Sequence, residues 1–212
     1  MRKLILKMSV SVDGFVCGPN KEIGWIFKSM DEEATAWVLD TIWQAGIHIM
    51  GSRTFYDMQA YWPYSNEPFA APMNEIPKMF FSKNARATAD KGTTQALRDA
   101  TAAAGEGTSA NNTKSPDLAS WANAPVASGD LKDEIMKLKH QDGKDILAHG
   151  GASFAQSLVK LNLIDEYQLL THPVALGKGL GLFATLPQAL NLKLTDSKSF
   201  KGGAVAHIYH PA

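Results

Sequence analysis

The first apolar run of the chain, residues 4–12, is hydrophobic at odd and even positions alike, with Leu4, Ile5 and Leu6 in direct succession. A strand with one face in water would alternate apolar and polar residues, so this run predicts a strand buried on both faces. Such strands belong to parallel sheets that carry helices on each side. This run therefore constrains the fold more than any other segment.

Short apolar strands alternate with segments of helical periodicity along the rest of the chain. The strands are predicted at residues 47–50, 76–82, 145–148 and 165–171, followed by a hairpin of residues 193–200 and 204–209. After the polar segment, ordered structure is predicted to return at residues 124–127. Acidic residues 31–33 suit the first turn of a helix that ends at Gly46. We predict a three-layer α/β/α fold with a mixed, mostly parallel central sheet and an antiparallel C-terminal hairpin.

The length of 212 residues fits a single domain, residues 1–212. Residues 84–123 differ in composition, because they are rich in Ala, Thr, Gly, Ser and Asn and poor in large apolar side chains. Within them, residues 95–104 have a weak helical pattern. We predict a flexible insertion at about 84–123, since neither side of it makes a complete fold alone.

Charge and cysteine content exclude several classes of protein. The 21 Lys and Arg residues balance 21 Asp and Glu residues, which removes the driving force for non-specific nucleic-acid binding. No stretch approaches the roughly 18 uncharged apolar residues of a membrane span. The single cysteine, Cys17, allows no internal disulfide, and the histidines lack the spacing of a zinc helix. We expect a cytoplasmic protein that binds a small molecule, and we expect no metal, nucleic-acid or membrane partner.

Two predicted strands run through glycine directly into a helix, at residues 51–54 and residues 150–153. Glycine lets a phosphate approach the backbone, and the free N–H groups and dipole of a helix start favour an anion. A third strand ends at Ser82 and Lys83. Ligands bind at the carboxyl ends of the strands in open α/β sheets, so these junctions predict a dinucleotide phosphate site. An α/β enzyme that binds a phosphate ester without nicotinamide fits the same spacing.

Several motifs together resemble a known enzyme family. Three of them resemble dihydrofolate reductases, namely residues 50–55, 76–82 and 149–152. Four others are closer still to the C-terminal reductase domain of the bifunctional riboflavin-pathway deaminase-reductases, namely residues 11–14, 128–131, 163–167 and 172–173. The chain is identified as a member of that reductase family, similar to its stand-alone bacterial members, over nearly its whole length except residues 84–123.

The resemblance implies an NADPH-dependent reductase in riboflavin biosynthesis, with a dihydrofolate-reductase-like fold and usually a homodimer. It implies that the cofactor pyrophosphate is held from two sides, by Gly51, Ser52, Arg53 and Thr54 and by Gly150, Gly151, Ala152, Ser153 and Phe154. The 2′-phosphate of NADP would be met by Arg53, Ser82 and Lys83, a role that suits cations beside a hydroxyl. The nicotinamide would be lined by Asp13, Gly14, Gly18 and Trp25.

Some of these residues have equally good structural interpretations. Asp13 and Gly14 fit a plain β-turn, and Trp25 fits a core aromatic residue. The resemblance places the proton donor on the first helix, where Asp31 is our candidate. Acidic residues at a helix start also favour the helix dipole without any catalytic role.

Two departures from the family concern the substrate. The riboflavin-pathway reductases typically carry a glutamate just before the glycine of the phosphate loop, where this chain has His149. Their substrate-contacting arginine on the first helix has no counterpart in residues 31–37. A neutral or pteridine-like heterocycle therefore fits as well as a pyrimidine intermediate. The alternative function is a non-catalytic nucleotide-binding protein that retains the reductase scaffold.

Overall fold

The computed structural model describes residues 1–83, 94–104 and 119–212. The strands are β1 (Leu4–Ser11), β2 (Phe15–Cys17), β3 (Ile47–Gly51), β4 (Lys78–Phe81), β5 (Val126–Ala127), β6 (Ile146–Ala148), β7 (Glu166–His172), β8 (Leu180–Gly181), β9 (Leu192–Ser199) and β10 (Val205–Pro211). The helices are α1 (Glu32–Trp43), α2 (Ser52–Tyr61), α3 (Ala70–Glu75), α4 (Gln95–Ala104), α5 (Ala119–Ala122), α6 (Leu131–Lys139) and α7 (Ala152–Lys160). Two short 3₁₀ helices lie at Ile26–Ser29 and Trp62–Tyr64.

Eight of these strands form one sheet, in the order β5-β4-β3-β6-β1-β7-β10-β9. The neighbouring pairs from β5 to β7 are parallel, while β10 is antiparallel to both β7 and β9. This arrangement confirms the predicted mixed, mostly parallel sheet and its antiparallel C-terminal hairpin. β2 and β8 pair separately, as a two-stranded antiparallel ribbon.

Helices cover both faces of the sheet, so β1 is buried on both sides, as its apolar sequence predicts. On one face it packs with α6 and α7 in a cluster that includes Leu4, Leu6, Ile135 and Leu158. On the other face α1 contributes a stripe of residues spaced four apart, namely Ala34, Val38 and Ile42. These two clusters make the three predicted layers.

Part of the segment 84–123 is built into the domain, while residues 84–93 and 105–118 lie outside the described residues. α4 coincides with the helix predicted at 95–104, and α5 places Trp121 in the core, where its ring lies 5.5 Å from that of Phe55. Asp99 of α4 accepts hydrogen bonds from the N–H groups of Ile23 and Gly24, at 2.6 and 2.9 Å. α4 is therefore bound to the loop that leads to Trp25.

Candidate functional site

The carboxyl ends of five parallel strands meet at one edge of the sheet. These strands end at Ser11 (β1), Gly51 (β3), Phe81 (β4), Ala148 (β6) and His172 (β7). The residues predicted to bind a cofactor lie in the loops and helix starts that follow these ends. This edge is where ligands bind in open α/β sheets.

α2 and α7 begin side by side at this edge. Gly51 is the N-cap residue of α2 and Gly151 that of α7, and neither provides a side chain to cap the first N–H groups of its helix. The Gly51 N–H donates to the carbonyl of Gly150 at 3.1 Å, and the Gly151 N–H donates to Thr54 Oγ1 at 2.8 Å. Two helix N-termini are thus joined directly, and their dipoles together favour a negatively charged ligand.

Glycine is required at two positions of this junction. Gly150 has a φ of 91°, a value that other residues rarely adopt, and a Cβ atom there would lie 2.8 Å from Met8 Sδ. A Cβ atom on Gly151 would lie 2.8 Å from Thr54 Oγ1. The two glycines therefore let Met8 and Thr54 pack closely against this backbone, which brings the two uncapped helix starts together in an arrangement that fits a pyrophosphate group.

Ala152, Ser153 and Phe154 form the first turn of α7. The Phe154 ring lies 5.0 Å from the ring of Phe81, at the end of β4. A Cβ atom on Gly51 would lie 3.2 Å from that of Phe154. Phe154 therefore packs the start of α7 against the ends of β3 and β4.

Arg53, Ser82 and Lys83 follow neighbouring strands. Gly51 of β3 is in register with Phe81 of β4, so these three residues come directly after two adjacent strand ends. Arg53 and Lys83 are exposed, and Ser82 is partly buried. The structure therefore places two exposed cations and a serine at the same edge as the two helix starts.

Asp13, Gly14 and Gly18 shape the loop after β1. Asp13 accepts hydrogen bonds from Ser11 Oγ at 2.6 Å and, across the chain, from the N–H groups of Leu176 and Gly177 at 3.1 and 2.7 Å. These bonds lower the pKa of Asp13. Gly14 adopts a φ of 83° in the turn, and Gly18 is buried. The contacts of Asp13 are those of a structural turn, and its predicted contact with nicotinamide stays a prediction.

Trp25 lies inside the molecule, beside the end of β7. Its ring meets that of His172 edge-on, at 5.4 Å between centroids. The indole Nε1 is buried and has no hydrogen-bond partner among the described residues. Since a buried N–H normally has an acceptor, this donor is free for a ligand.

Asp31 is the N-cap residue of α1. Its Oδ1 accepts the N–H of Ala34 at 2.7 Å, and its Oδ2 accepts the N–H of Gly202 at 2.6 Å. These two bonds, the largest causes, lower the pKa of Asp31. Both oxygens of the Asp31 carboxylate are thus already hydrogen-bonded. The role of Asp31 as proton donor stays a prediction.

A cluster of basic side chains lies on the α1 face of the sheet, and sequence reasoning did not assemble it. On β1, β6 and β7, an apolar residue packed on the α1 side of the sheet is followed two positions later by Lys7, His149 and His172, respectively. Residues two apart in a strand lie on the same face, so these three side chains also lie on the α1 face. His48 of β3 lies edge-on to His149, with 4.5 Å between ring centroids. We call Lys7, His48, His149 and His172 the basic cluster.

Burial dominates the electrostatics of the basic cluster. It lowers the pKa of Lys7 to about 8, and burial followed by the charge of Lys7 lowers the pKa of His172 to about 4. Burial, Lys7 and Lys78 lower the pKa of His149 to about 3. At neutral pH the histidines are therefore uncharged and Lys7 is mostly a cation.

Residues 2–206 match the RibD C-terminal domain family. The chain belongs to this family. The family membership and dihydrofolate-reductase-like fold predicted from sequence are confirmed, and the chain has a reductase-type scaffold.

Individual proteins resemble this chain along nearly its whole length. The uncharacterised protein YyaP of Bacillus subtilis (strain 168) is 29% identical over 214 residues, which cover 99% of this chain and 95% of YyaP. A candidate riboflavin biosynthesis protein from Shewanella sp. PV-4 has a TM-score of 0.69 at 19% identity, covering 100% of this chain and 99% of that one. Dihydrofolate reductase from Enterococcus faecalis, in complex with NADP(H), has a TM-score of 0.58 at 10% identity, covering 99% and 96%. At such identities these two structures show the fold alone.

Within residues 1–83, 94–104 and 119–212, no three His, Cys, Asp or Glu side chains are grouped so as to hold a metal ion. No helix in those residues is long and apolar enough to cross a membrane.

One feature of the sequence indicates the basic cluster. Lys7 interrupts an otherwise apolar strand, and a charged residue in a strand buried on both faces needs a reason. The histidines come from β3 and from the ends of β6 and β7. Their proximity depends on a strand order that the sequence does not reveal, so the pattern of residues alone could not assemble this site.

Proposed function

We propose that this chain is an NADPH-dependent reductase that transfers a hydride to a pteridine- or pyrimidine-like small molecule. One observation carries the proposal: the N-termini of α2 and α7 are joined by the Gly51–Gly150 and Gly151–Thr54 hydrogen bonds at the carboxyl edge of the sheet. Membership of the RibD C-terminal domain family and the NADP(H) complex of a protein with the same fold support it.

The residues of the chain would bind and orient the cofactor. Gly51 to Thr54 and Gly150 to Phe154 would hold the pyrophosphate, while Arg53, Ser82 and Lys83 would bind the 2′-phosphate. NADPH, when bound, supplies the hydride. Trp25 and the turn at Asp13 and Gly14 would border the nicotinamide on the side of the basic cluster. We also propose a homodimer, as the sequence resemblance implies.

Cofactor titrations test the binding step. We expect NADPH to bind more tightly than NADH, because Arg53 makes a charge-assisted bond to the 2′-phosphate. Losing such a bond costs about 1.5–3 kcal/mol, so Arg53→Ala should weaken NADPH by roughly tenfold to a hundredfold and leave NADH nearly unchanged. The measurement is quenching of protein fluorescence. Lys160→Ala, which removes an exposed cation at the opposite end of α7, is the matched control. Absence of NADPH binding would overturn the proposal.

Turnover separates the reductase from the non-catalytic alternative. We expect NADPH oxidation, followed at its absorbance maximum, with at least one member of a panel of oxidised pteridines and pyrimidine intermediates of riboflavin biosynthesis. Tight NADPH binding without oxidation across the panel would instead favour a nucleotide-binding protein that keeps the reductase scaffold.

A further inference from the structure

The helix α4 contacts two separate parts of the proposed cofactor site. It packs against α2, whose first turn carries Arg53. It also binds the loop of residues 18–25, which leads to Trp25. α4 belongs to the segment whose composition predicts an insertion, yet it joins the phosphate side of the site to the side proposed for the nicotinamide.

A single carboxylate makes the contact between α4 and the loop. Asp99 Oδ2 accepts hydrogen bonds from the N–H groups of Ile23 at 2.6 Å and of Gly24 at 2.9 Å. Its other oxygen, Oδ1, accepts Nε2 of Gln95, one helical turn earlier, at 2.7 Å. Gln95 therefore orients the carboxylate so that both N–H groups of the loop meet the same charged oxygen. Such charge-assisted bonds are stronger than those between neutral groups.

The peptide that Asp99 binds begins the turn that carries Trp25. The carbonyl of Ile23 accepts the N–H of Ile26 at 2.9 Å, so residues 23–26 form a turn with Trp25 inside it. The earlier part of the loop is bonded to itself, since the Gly18 N–H donates to the carbonyl of Glu22 at 3.0 Å. That internal bond fixes the shape of the loop, whereas Asp99 fixes its place on the domain.

Trp25 is held in place on both sides. Asp99 binds the backbone directly before it, and four residues after it Ser29 Oγ lies 2.8 Å from His172 Nδ1. Its ring meets that of His172 at 5.4 Å, and its buried Nε1 has no partner among the described residues. A shift of the turn would move this donor away from the carboxyl edge of β7, where a ligand can meet it.

The other end of α4 is tied to α2. Thr94 Oγ1 caps α4 by accepting the N–H of Leu97 at 3.1 Å. Burial raises the pKa of Asp57 on α2, and a hydrogen bond with Thr94 and the charge of Arg53 partly offset that rise. Thr94 and Arg53 thus both lie beside Asp57, and α4 starts next to the predicted 2′-phosphate cation.

We infer that Asp99 is a positioning residue, which fixes the turn of residues 23–26 so that Trp25 meets the nicotinamide half of NADPH. This role rests on the proposed function, because it names the residue that holds the nicotinamide side of that site. Asp99 acts through the backbone of Ile23 and Gly24. The anchoring of α4 on α2 gives the carboxylate a fixed position relative to the phosphate half of the cofactor.

NADPH and 2′,5′-ADP test this role, because the second ligand carries the adenosine and the 2′-phosphate but no nicotinamide. In calorimetric titrations we expect Asp99→Ala to weaken NADPH by roughly tenfold and to leave 2′,5′-ADP nearly unchanged. Asp99→Asn keeps an oxygen that can accept both N–H groups and should recover most of the NADPH affinity. Gln95→Ala should cause a smaller loss in the same direction. Thr101→Ala, which removes an exposed hydroxyl bonded to Leu97 of the same helix, is the matched control.

Fluorine NMR of protein labelled with 5-fluorotryptophan reports on Trp25 without any ligand. We expect Asp99→Ala to shift the Trp25 resonance, assigned with Trp25→Phe, and Asp99→Asn to restore it. The resonance of Trp121, which is buried in the core, should stay in place and serves as the check of folding. If Asp99→Ala failed that check, the same comparison is made with Gln95→Ala.

Four outcomes would contradict the role of Asp99. These are a Trp25 resonance unchanged in both Asp99→Ala and Gln95→Ala, equal weakening of NADPH and 2′,5′-ADP, no recovery in Asp99→Asn, and an equal loss of NADPH affinity in Thr101→Ala. Wild-type protein that binds neither ligand would instead contradict the proposed function and the nicotinamide contact with it. A shifted Trp25 resonance in Asp99→Ala would then still show that Asp99 positions this side chain.

Discussion

Asp31 connects two parts of the molecule through a single carboxylate. One oxygen caps α1 and the other binds the backbone of Gly202, in the turn of the β9–β10 hairpin. The charged form is the better acceptor for both bonds, which is why the pKa of Asp31 is lowered. A carboxylate that stays ionised at neutral pH is poorly suited to donate a proton directly.

Two variants separate the structural and catalytic roles of Asp31. Asp31→Ala removes both acceptors and should lower the melting temperature by roughly 2–5 °C. Asp31→Asn keeps one acceptor oxygen, can still cap α1, and should lower it less. We expect Asp31→Asn to oxidise NADPH at close to the wild-type rate. If this variant melted like the wild type but lost turnover by a factor of a hundred or more, the carboxylate would be the proton donor after all.

The β6–α7 junction depends on a glycine whose role goes beyond its dihedral angles. Gly150 and Gly203 have nearly the same φ, 91° and 90°, so replacing either by alanine should cost about 1–2 kcal/mol from backbone strain. Gly150→Ala would bring a Cβ atom to 2.8 Å from Met8 Sδ, closer than the 3.2 Å that separates a Cβ atom on Gly203 from Pro173 Cγ. We therefore expect the larger loss in urea denaturation for Gly150→Ala, and weaker NADPH binding in that variant alone. Equal losses, with NADPH affinity unchanged in both, would mean that the junction does not form the cofactor site.

Local sequence patterns predicted the elements of this fold where the signal lies within the element itself. Examples are β1, which is apolar at odd and even positions, the glycines before α2 and α7, and the turn of the C-terminal hairpin. The ribbon of β2 and β8 was not predicted, because strands of three and two residues carry no periodicity. The burial of Trp121 was not predicted either, because it lies in a segment whose overall composition is that of a surface loop. The basic cluster depends on the order of β3, β6, β1 and β7, which is a property of the whole sheet.

Across the whole molecule, buried histidines link stability to pH. The pKa of His48 is lowered well below its ordinary value of 6.5, first by burial and then by His149 and Lys78. With His149 at about 3 and His172 at about 4, these two rings are neutral in the folded protein at pH 5. In the unfolded chain they return to 6.5 and take up protons. Protonation of the unfolded chain therefore lowers the free energy of unfolding. The contribution of these rings to stability is complete above pH 6.5 and is lost as the pH falls towards 4.

We therefore expect the free energy of unfolding to fall steeply between pH 7 and pH 5, by up to about 2 kcal/mol each for His149 and His172. Asp13 and Asp31, whose ordinary pKa is 3.8, titrate below this window and contribute little to it. Urea denaturation at pH 7, 6 and 5 measures the slope. His149→Gln should reduce it, because one fewer ring takes up a proton on unfolding, while His140→Gln, at an exposed position, should leave it unchanged. A slope that is the same in all three proteins would mean that His149 is already protonated in the folded state, which would also place a second cation beside Lys7.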